Sequence, residues 1–337
     1  MLKSLIIKNF RSLEDFHVEK LGRVNLIVGK NNSGKSSVLE ALRIFAGNAH
    51  QELLEKIAQG HDEQCFFEKG IIDDSEVSLP YEDLFTGRKF PIEERPIVIG
   101  EQDNSQALKI FHVYGYEKEY VATDNKTGKQ EIIKRLEWVT SLPDQILGEG
   151  LLIIKNGEAT TLDFNIISPE FRRFVSIGQR LPCSYIPTQL VPSNELANDW
   201  DSIALTDKEE TVMQAIKIIL PDISDITFVN DLSSIDSKLI RRVAKIKIKD
   251  SLRPVPLSSL GDGMARILQI ALKAVTAKGG FLLVDEFENG LHYSIQEKVW
   301  SYLFDLSKTL NIQIFATTHS WDCIESFAKV AIEKQDV

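Results

Sequence analysis

The chain has 337 residues, 43% of them hydrophobic and 26% charged, and a formal net charge of −10. That length supports a sizeable core and two lobes. The acidic balance excludes a general nucleic-acid coat, which needs clustered Lys and Arg. The longest apolar runs, LLII at 151–154 and FLLV at 281–284, fall far short of the roughly 18 to 20 residues that span a bilayer, so no membrane contact is expected. The opening MLKSLIIKNF runs directly into a strand pattern without a small-residue cleavage site, which argues against a signal peptide. Cys65, Cys183 and Cys323 are too dispersed for a disulfide framework or a CxxC metal pair, as expected of a cytoplasmic chain.

In chain order, Leu5, Ile6 and Ile7 read as a strand, followed by a turn at 9–12 and a second strand at 24–28. A Gly-rich loop comes next, then a helix with apolar periodicity at Val38, Leu39, Ala41, Leu42 and Phe45. Residues 96–165 read as short strands, among them 96–99 and 107–114, with a turn signal at 124–128; an antiparallel lobe is expected there. Residues 184–187 suggest a short strand re-entering the core, and 206–220 an amphipathic helix stopped by Pro221. At 238–250, Lys245, Lys247 and Lys249 alternate with Ile and would line one strand face. Two readings stand: a solvated face of a half-buried edge strand, or a contact for DNA. The last third alternates helix 262–278, strand 281–284, helix 291–310 and strand 312–316, which predicts a parallel sheet with helical crossovers. There is no internal repeat, low-complexity stretch or long heptad run. These shifts divide the chain at 1–47, 48–180, 181–250 and 251–337.

Gly29, Lys30, Asn31, Asn32, Ser33, Gly34, Lys35 and Ser36 satisfy GxxxxGK[ST] between a predicted strand and a predicted helix. A Gly-rich turn could arise by chance, but in this context the glycines let the backbone wrap a phosphate. Successive amides and the helix N-terminus, Ser37 included, face its charge. Lys35 is expected on the β- and γ-phosphates of ATP, and the Ser36 hydroxyl on Mg²⁺. The apolar run at 281–284 ends in Asp285 and Glu286. Alone this is a strand leaving the core; with the phosphate loop, Asp285 suits Mg²⁺ and Glu286 a general base for the attacking water. His319 follows the last strand, at the end where parallel sheets bind ligands, so contact with the γ-phosphate is expected.

In this order the pieces resemble the ABC-type ATPase heads of the SMC, RecF and OLD families. The resemblance implies an α/β fold, a P-loop NTPase head of the ABC type with a mixed sheet, an antiparallel β lobe and a helical insertion. LSSLGDG at 257–263 resembles the signature loop, which implies nucleotide contacts from Ser259, Gly261, Asp262 and Gly263; either Ser259 or Gly261 fits the signature-serine position. On residue grounds alone it reads as a helix N-cap with Asp262 in the first turn. Asn289-Gly290-Leu291-His292 falls at the D-loop, with His292 where Asp is usual, and Thr317–Ser320 looks like the switch-histidine loop. Gln189 resembles the Q-loop glutamine that senses Mg²⁺, and NFRS at 9–12 matches the opening turn of RecF- and OLD-like heads, which implies Arg11 close to the nucleotide.

No coiled coil, zinc hook or early helical domain separates the motifs, so the sequence looks most like OLD-type stand-alone ATPases. The resemblance implies ATP-driven head-to-tail dimers or larger oligomers. It also implies work in phage defence or DNA repair through an effector. The last motif lies too near Val337 for a Toprim domain, so a nuclease is expected as a separate polypeptide. The alternative is a RecF-like clamp that grips DNA directly.

Overall fold

Strands β1 (Leu5–Phe10), β2 (Leu13–Val18) and β3 (Val24–Val28) lead into helices α1 (Lys35–Ala46) and α2 (Gln51–Gln59). Strands β4 (Ile97–Gly100), β5 (Leu108–Thr123), β6 (Gln130–Val139), β7 (Gly148–Lys155) and β8 (Glu158–Asp163) follow. The chain continues through β9 (Cys183–Ile186), α3 (Ser193–Asp201), α4 (Asp207–Lys217), β10 (Ile223–Asn230), β11 (Arg242–Ile248) and β12 (Val255–Pro256). It closes with α5 (Asp262–Thr276), β13 (Phe281–Val284), α6 (Tyr293–Thr309), β14 (Gln313–Thr318) and α7 (Trp321–Glu333). This computed structural model describes residues 1–61, 63, 80–103, 106–123, 130–164, 177–231 and 241–334. Cys65, the turn signal at 124–128 and residues 238–240 of the lysine-bearing segment lie outside them.

The strands divide between two compact units. One unit comprises Met1, Leu21–Leu39 and Leu181–Val337. Its central sheet has the order β3-β14-β13-β9, with every neighbour parallel. A parallel sheet is covered on both faces, and its inner strands therefore read as continuous apolar runs. Every residue of β13 and of β14 is buried. Leu282, Val284, Ile314 and Ala316 join Ile267, Leu268 and Ala271 of α5 and Val299, Trp300 and Leu303 of α6 in one core. A smaller antiparallel sheet, β10-β11-β12, completes this unit.

The second unit comprises Leu2–Lys20 and Glu40–Arg180. Its seven-stranded sheet runs β2-β1-β4-β5-β7-β8 with β6 paired to β5, and the pairs are antiparallel. The first two strands thus belong with the lobe at 40–180. Helix α1 starts in the first unit and ends in the second. Lys155 closes its last turn: Nζ donates to the Phe45 carbonyl and to Asn48 Oδ1, each at 2.7 Å, and lies 3.9 Å from the centroid of the Phe45 ring. A cation there complements the helix C-terminus, while burial lowers the Lys155 pKa to about 8.

Local chemistry corrects several expected boundaries. Helix α6 starts at Tyr293 instead of 291 because His292 is its N-cap, accepting from the Ser294 amide at 3.4 Å. Strand β14 reaches Thr318, so both threonines before His319 are strand residues. Strand β11 is no edge strand: β10 covers one side and β12 pairs Lys245 with Pro256 on the other. Lys247 faces Asp225 across the ladder, which offsets its charge. Helix α3 had no clear sequence signal, with only Leu196, Ala197 and Trp200 buried along SNELANDWD. Among the described residues no helix is long and apolar enough to cross a membrane.

Candidate functional site

The phosphate loop joins β3 to α1 and lies in the first unit. Asn31, Asn32 and Ser33 are exposed, and Asn32 and Gly34 adopt φ of 60° and 86°. That left-handed geometry turns successive amides inward, a conformation Gly34 takes without penalty. A Cβ on Gly29 would meet Ser33 Oγ at 2.5 Å, so any larger residue would have to push that hydroxyl aside. Lys35 is buried, and its Nζ donates to the carbonyls of Gly29 and Lys30, both at 2.8 Å. An ammonium has three donors; two hold the loop and the third remains for a phosphate. Ser37 follows at partial burial and Val38 donates to the Gly34 carbonyl at 3.1 Å, starting the helix ladder.

The loop meets the end of β13. The Ser36 hydroxyl donates to Asp285 Oδ2 at 3.0 Å, with Oδ1 at 3.3 Å. Asp285 is itself buried and accepts from Thr317 Oγ1 at 2.6 Å and from the Tyr185 hydroxyl at 3.5 Å. Thr317 Oγ1 also accepts the Glu286 amide at 2.8 Å. One threonine on β14 therefore fixes the Asp285 carboxylate and the backbone of Glu286 together. Glu286 sits at φ 44°, a left-handed position that non-glycine residues occupy rarely and at a cost. Beneath it Arg266 of α5, 1% exposed, donates to the carbonyls of Pro187 at 2.7 Å, Asp285 at 2.8 Å and Glu286 at 3.1 Å. Burial lowers the Arg266 pKa to about 10, opposed by Asp285 and Glu288, so the guanidinium stays charged.

His319 leaves β14 beside these acids. Its Nδ1 is 3.3 Å from Glu288 Oε1 and 3.8 Å from Glu286 Oε1, and its amide donates to Glu288 Oε1 at 3.1 Å. Gln189 is exposed two residues beyond Pro187, just after β9, the strand parallel to β13. The neighbouring Thr188 carbonyl accepts from Asn289 Nδ2 at 2.7 Å, tying the Gln189 loop to the loop after Glu286.

The segment resembling a signature loop is a 3-10 turn, Leu257–Leu260, followed by Gly261 at φ 88° and ψ 165° as the N-cap of α5. Only glycine adopts those angles readily. Ser258, Ser259, Gly261 and Asp262 are exposed, whereas a Cβ on Gly263 would meet the Gly290 carbonyl at 3.0 Å. The structure gives Arg11 two carboxylate partners. In the second unit its guanidinium makes a two-pronged hydrogen-bonded pair with Glu63 at 2.9 Å, and its Nε lies in an ion pair with Glu40 at 2.9 Å. Arg11 itself has φ 48°, which turns β1 into β2. His61 pairs with the other oxygen of Glu40, and that bond raises the His61 pKa.

Among the described residues no group of three His, Cys, Asp or Glu side chains could hold a metal. The Ser36 hydroxyl against the Asp285 carboxylate nonetheless fits Mg²⁺, a hard cation held by one or two protein oxygens while phosphates and waters fill the rest. Arg266 and Tyr185 carry no motif of their own and emerge from the geometry, as do the role of Glu288 and the bonds of Thr317 to Asp285 and the Glu286 amide. The Asp-Glu-x-Glu spacing was the one sequence trace of Glu288.

An AAA ATPase domain model matches residues 1–162. An AAA domain model whose description mentions an AbiEii toxin of Type IV TA systems matches residues 193–322. An ATP/GTP phosphatase of Helicobacter pylori is 26% identical over 99% of this chain and 89% of its own. RecF of Caldanaerobacter subterraneus is 36% identical over 77 residues, 21% of this chain and 20% of that protein. The SMC head domain from Thermotoga maritima aligns over 96% of this chain and 91% of its own at 18% identity, with a TM-score of 0.41. With the phosphate loop and acidic strand end brought together as nucleotide hydrolysis requires, and with AAA domain models matching 1–162 and 193–322, the chain is an ATPase that is similar over these parts to AAA ATPase domains.

Proposed function

We propose that ATP bound at Gly29–Ser37 of one copy is covered by the α5 N-terminus of a second, and that hydrolysis at Glu286 reopens this head-to-tail dimer. The observation that carries the reading is the exposed turn at 258–262, where left-handed Gly261 presents the first amides of α5 outward. Such an N-terminus favours an anion. In this reading the trans contact to the γ-phosphate is made by backbone amides at Gly261 and Asp262, with no serine hydroxyl required.

Within one copy, the loop amides and the free donor of Lys35 hold the phosphates. Mg²⁺ would sit between Ser36, Asp285 and the nucleotide, with Gln189 at its water shell, and would neutralise charge developing on the phosphates. Glu286 accepts the proton of the attacking water, a role that needs its carboxylate held still; Thr317 and Arg266 hold its backbone. His319 faces the γ-phosphate and distinguishes ATP from ADP. Since γ-phosphate contacts exist only before hydrolysis, the nucleotide biases the open and closed states.

We further propose that the closed state acts on a separate effector protein, a nuclease in defence or repair. An effector is preferred to a DNA clamp because Lys247 lies opposite Asp225. DNA-stimulated ATPase that falls when Lys245, Lys247 and Lys249 are neutralised would reverse that preference. The dimer itself is tested with Glu286→Gln by light scattering. The mass is expected to double on adding ATP, and an unchanged mass overturns the sandwich.

A further inference from the structure

We propose that Glu288 is a positioning residue for His319. It sets which ring nitrogen meets the nucleotide, and it is not a second hydrolytic acid. The inference rests on the reading of His319 as the γ-phosphate contact.

Three features carry it. First, a single oxygen, Glu288 Oε1, accepts the His319 amide at 3.1 Å and stands 3.3 Å from His319 Nδ1, so backbone and ring are fixed by the same atom. Second, the Glu288 side chain is 13% exposed, against 32% for Glu286 and 46% for His319. The acid that grips the histidine is thus the sheltered one, and the exposed acid is left to face water. Third, Glu288 is itself held in place. Its carbonyl accepts from the Leu291 amide at 2.9 Å, and Asn289 beside it is tied to Thr188.

The chemical consequence follows from imidazole. A carboxylate at Nδ1 keeps the proton on that nitrogen and turns Nε2 toward the open side. Nε2 is then the nitrogen that meets the nucleotide. Glu286, 3.8 Å from Nδ1, adds negative potential on the same side, and the Arg266 guanidinium opposes it from α5. Glu288 Oε2 is buried with no hydrogen-bond partner among the described residues, so Oε1 is the oxygen that meets both the amide and the ring of His319.

Glu288→Gln separates this role from simple support of the loop. Glutamine keeps an Oε1 that accepts from the His319 amide and stands beside Nδ1, but removes the charge. The expected result is a fall in kcat of about 10- to 100-fold, the usual cost of removing a group that orients a histidine, with little change in KM for ATP. In a His319→Gln background Glu288→Gln should add nothing. Histidine ¹⁵N spectra of the wild-type chain, assigned through His319→Gln, should show His319 protonated at Nδ1. Unchanged kcat in Glu288→Gln, losses that multiply in the double variant, or a wild-type His319 protonated only at Nε2 would each overturn the proposal. If His319→Gln alone leaves kcat intact, the failure lies in the reading of His319 itself.

Discussion

Arg266 Nη2 donates to the Asp285 carbonyl at 2.8 Å, so a residue on the first turns of α5 holds the backbone of the residue facing Ser36. The helix that begins at the exposed 258–262 turn is thereby bonded to the acidic strand end it serves. A shift of α5 cannot leave Asp285 and Glu286 in place.

That bond makes Arg266 a residue of fold and function at once. Arg266→Met strands three carbonyls, that of Asp285 in a fully buried bond and the others part-buried, and should cost roughly 3 kcal/mol, read from the urea midpoint. Arg266→Lys should recover part of it, because one ammonium cannot reach all three. A wild-type midpoint for Arg266→Met would show that the carbonyls find other donors.

Thr317→Val keeps the shape but removes the hydroxyl that serves Asp285 and the Glu286 amide. A loss of about 1–3 kcal/mol is expected from the orphaned partners. In turnover assays kcat should fall more than ATP affinity, since the phosphate loop itself is untouched. An affinity loss as large as the kcat loss would place Thr317 in binding.

The two candidates for the trans γ-phosphate contact separate by substitution. Gly261→Ala forces a side chain onto φ 88°, a strain of about 1–3 kcal/mol, and should block ATP-driven doubling of mass in the Glu286→Gln background. Ser259→Ala should leave the doubling intact. The opposite ranking would return the contact to the serine hydroxyl.

The His61–Glu40 pair gives the second unit a pH-dependent element. His61 has a raised pKa, caused first by its bond to Glu40. A raised folded-state value stabilises fully below the ordinary histidine value of about 6.5 and is lost as pH rises through the folded value. Melting curves of the wild type and His61→Gln should therefore differ in mildly acidic buffer and converge at alkaline pH. A gap that widens with pH would contradict the assignment.

Most of the site was legible because phosphate chemistry constrains neighbours in sequence. Gly29 to Ser36 form one loop, and Asp285 and Glu286 end one strand. What escaped were partners brought in by the sheet order. Thr317 meets Asp285 only because β14 lies beside β13, and Tyr185 only because β9 lies on the other side. Arg266 drew no reading within its helix, since periodicity does not show which carbonyls lie beneath. The partners of Arg11 escaped for a different reason. The turn at 9–12 was found correctly, but Glu40 and Glu63, which bind its side chain, are distant in sequence.

The left-handed backbone of Glu286 sets the direction in which this enzyme would decay. Glycine at 286 would relax the angle and destroy hydrolysis in one step, so loss of activity would come with a gain in stability. Descendants that keep the nucleotide but no longer turn it over are thus one substitution away. Among relatives, a glycine at this position would mark a binding-only pseudoenzyme that has lost nothing of its fold.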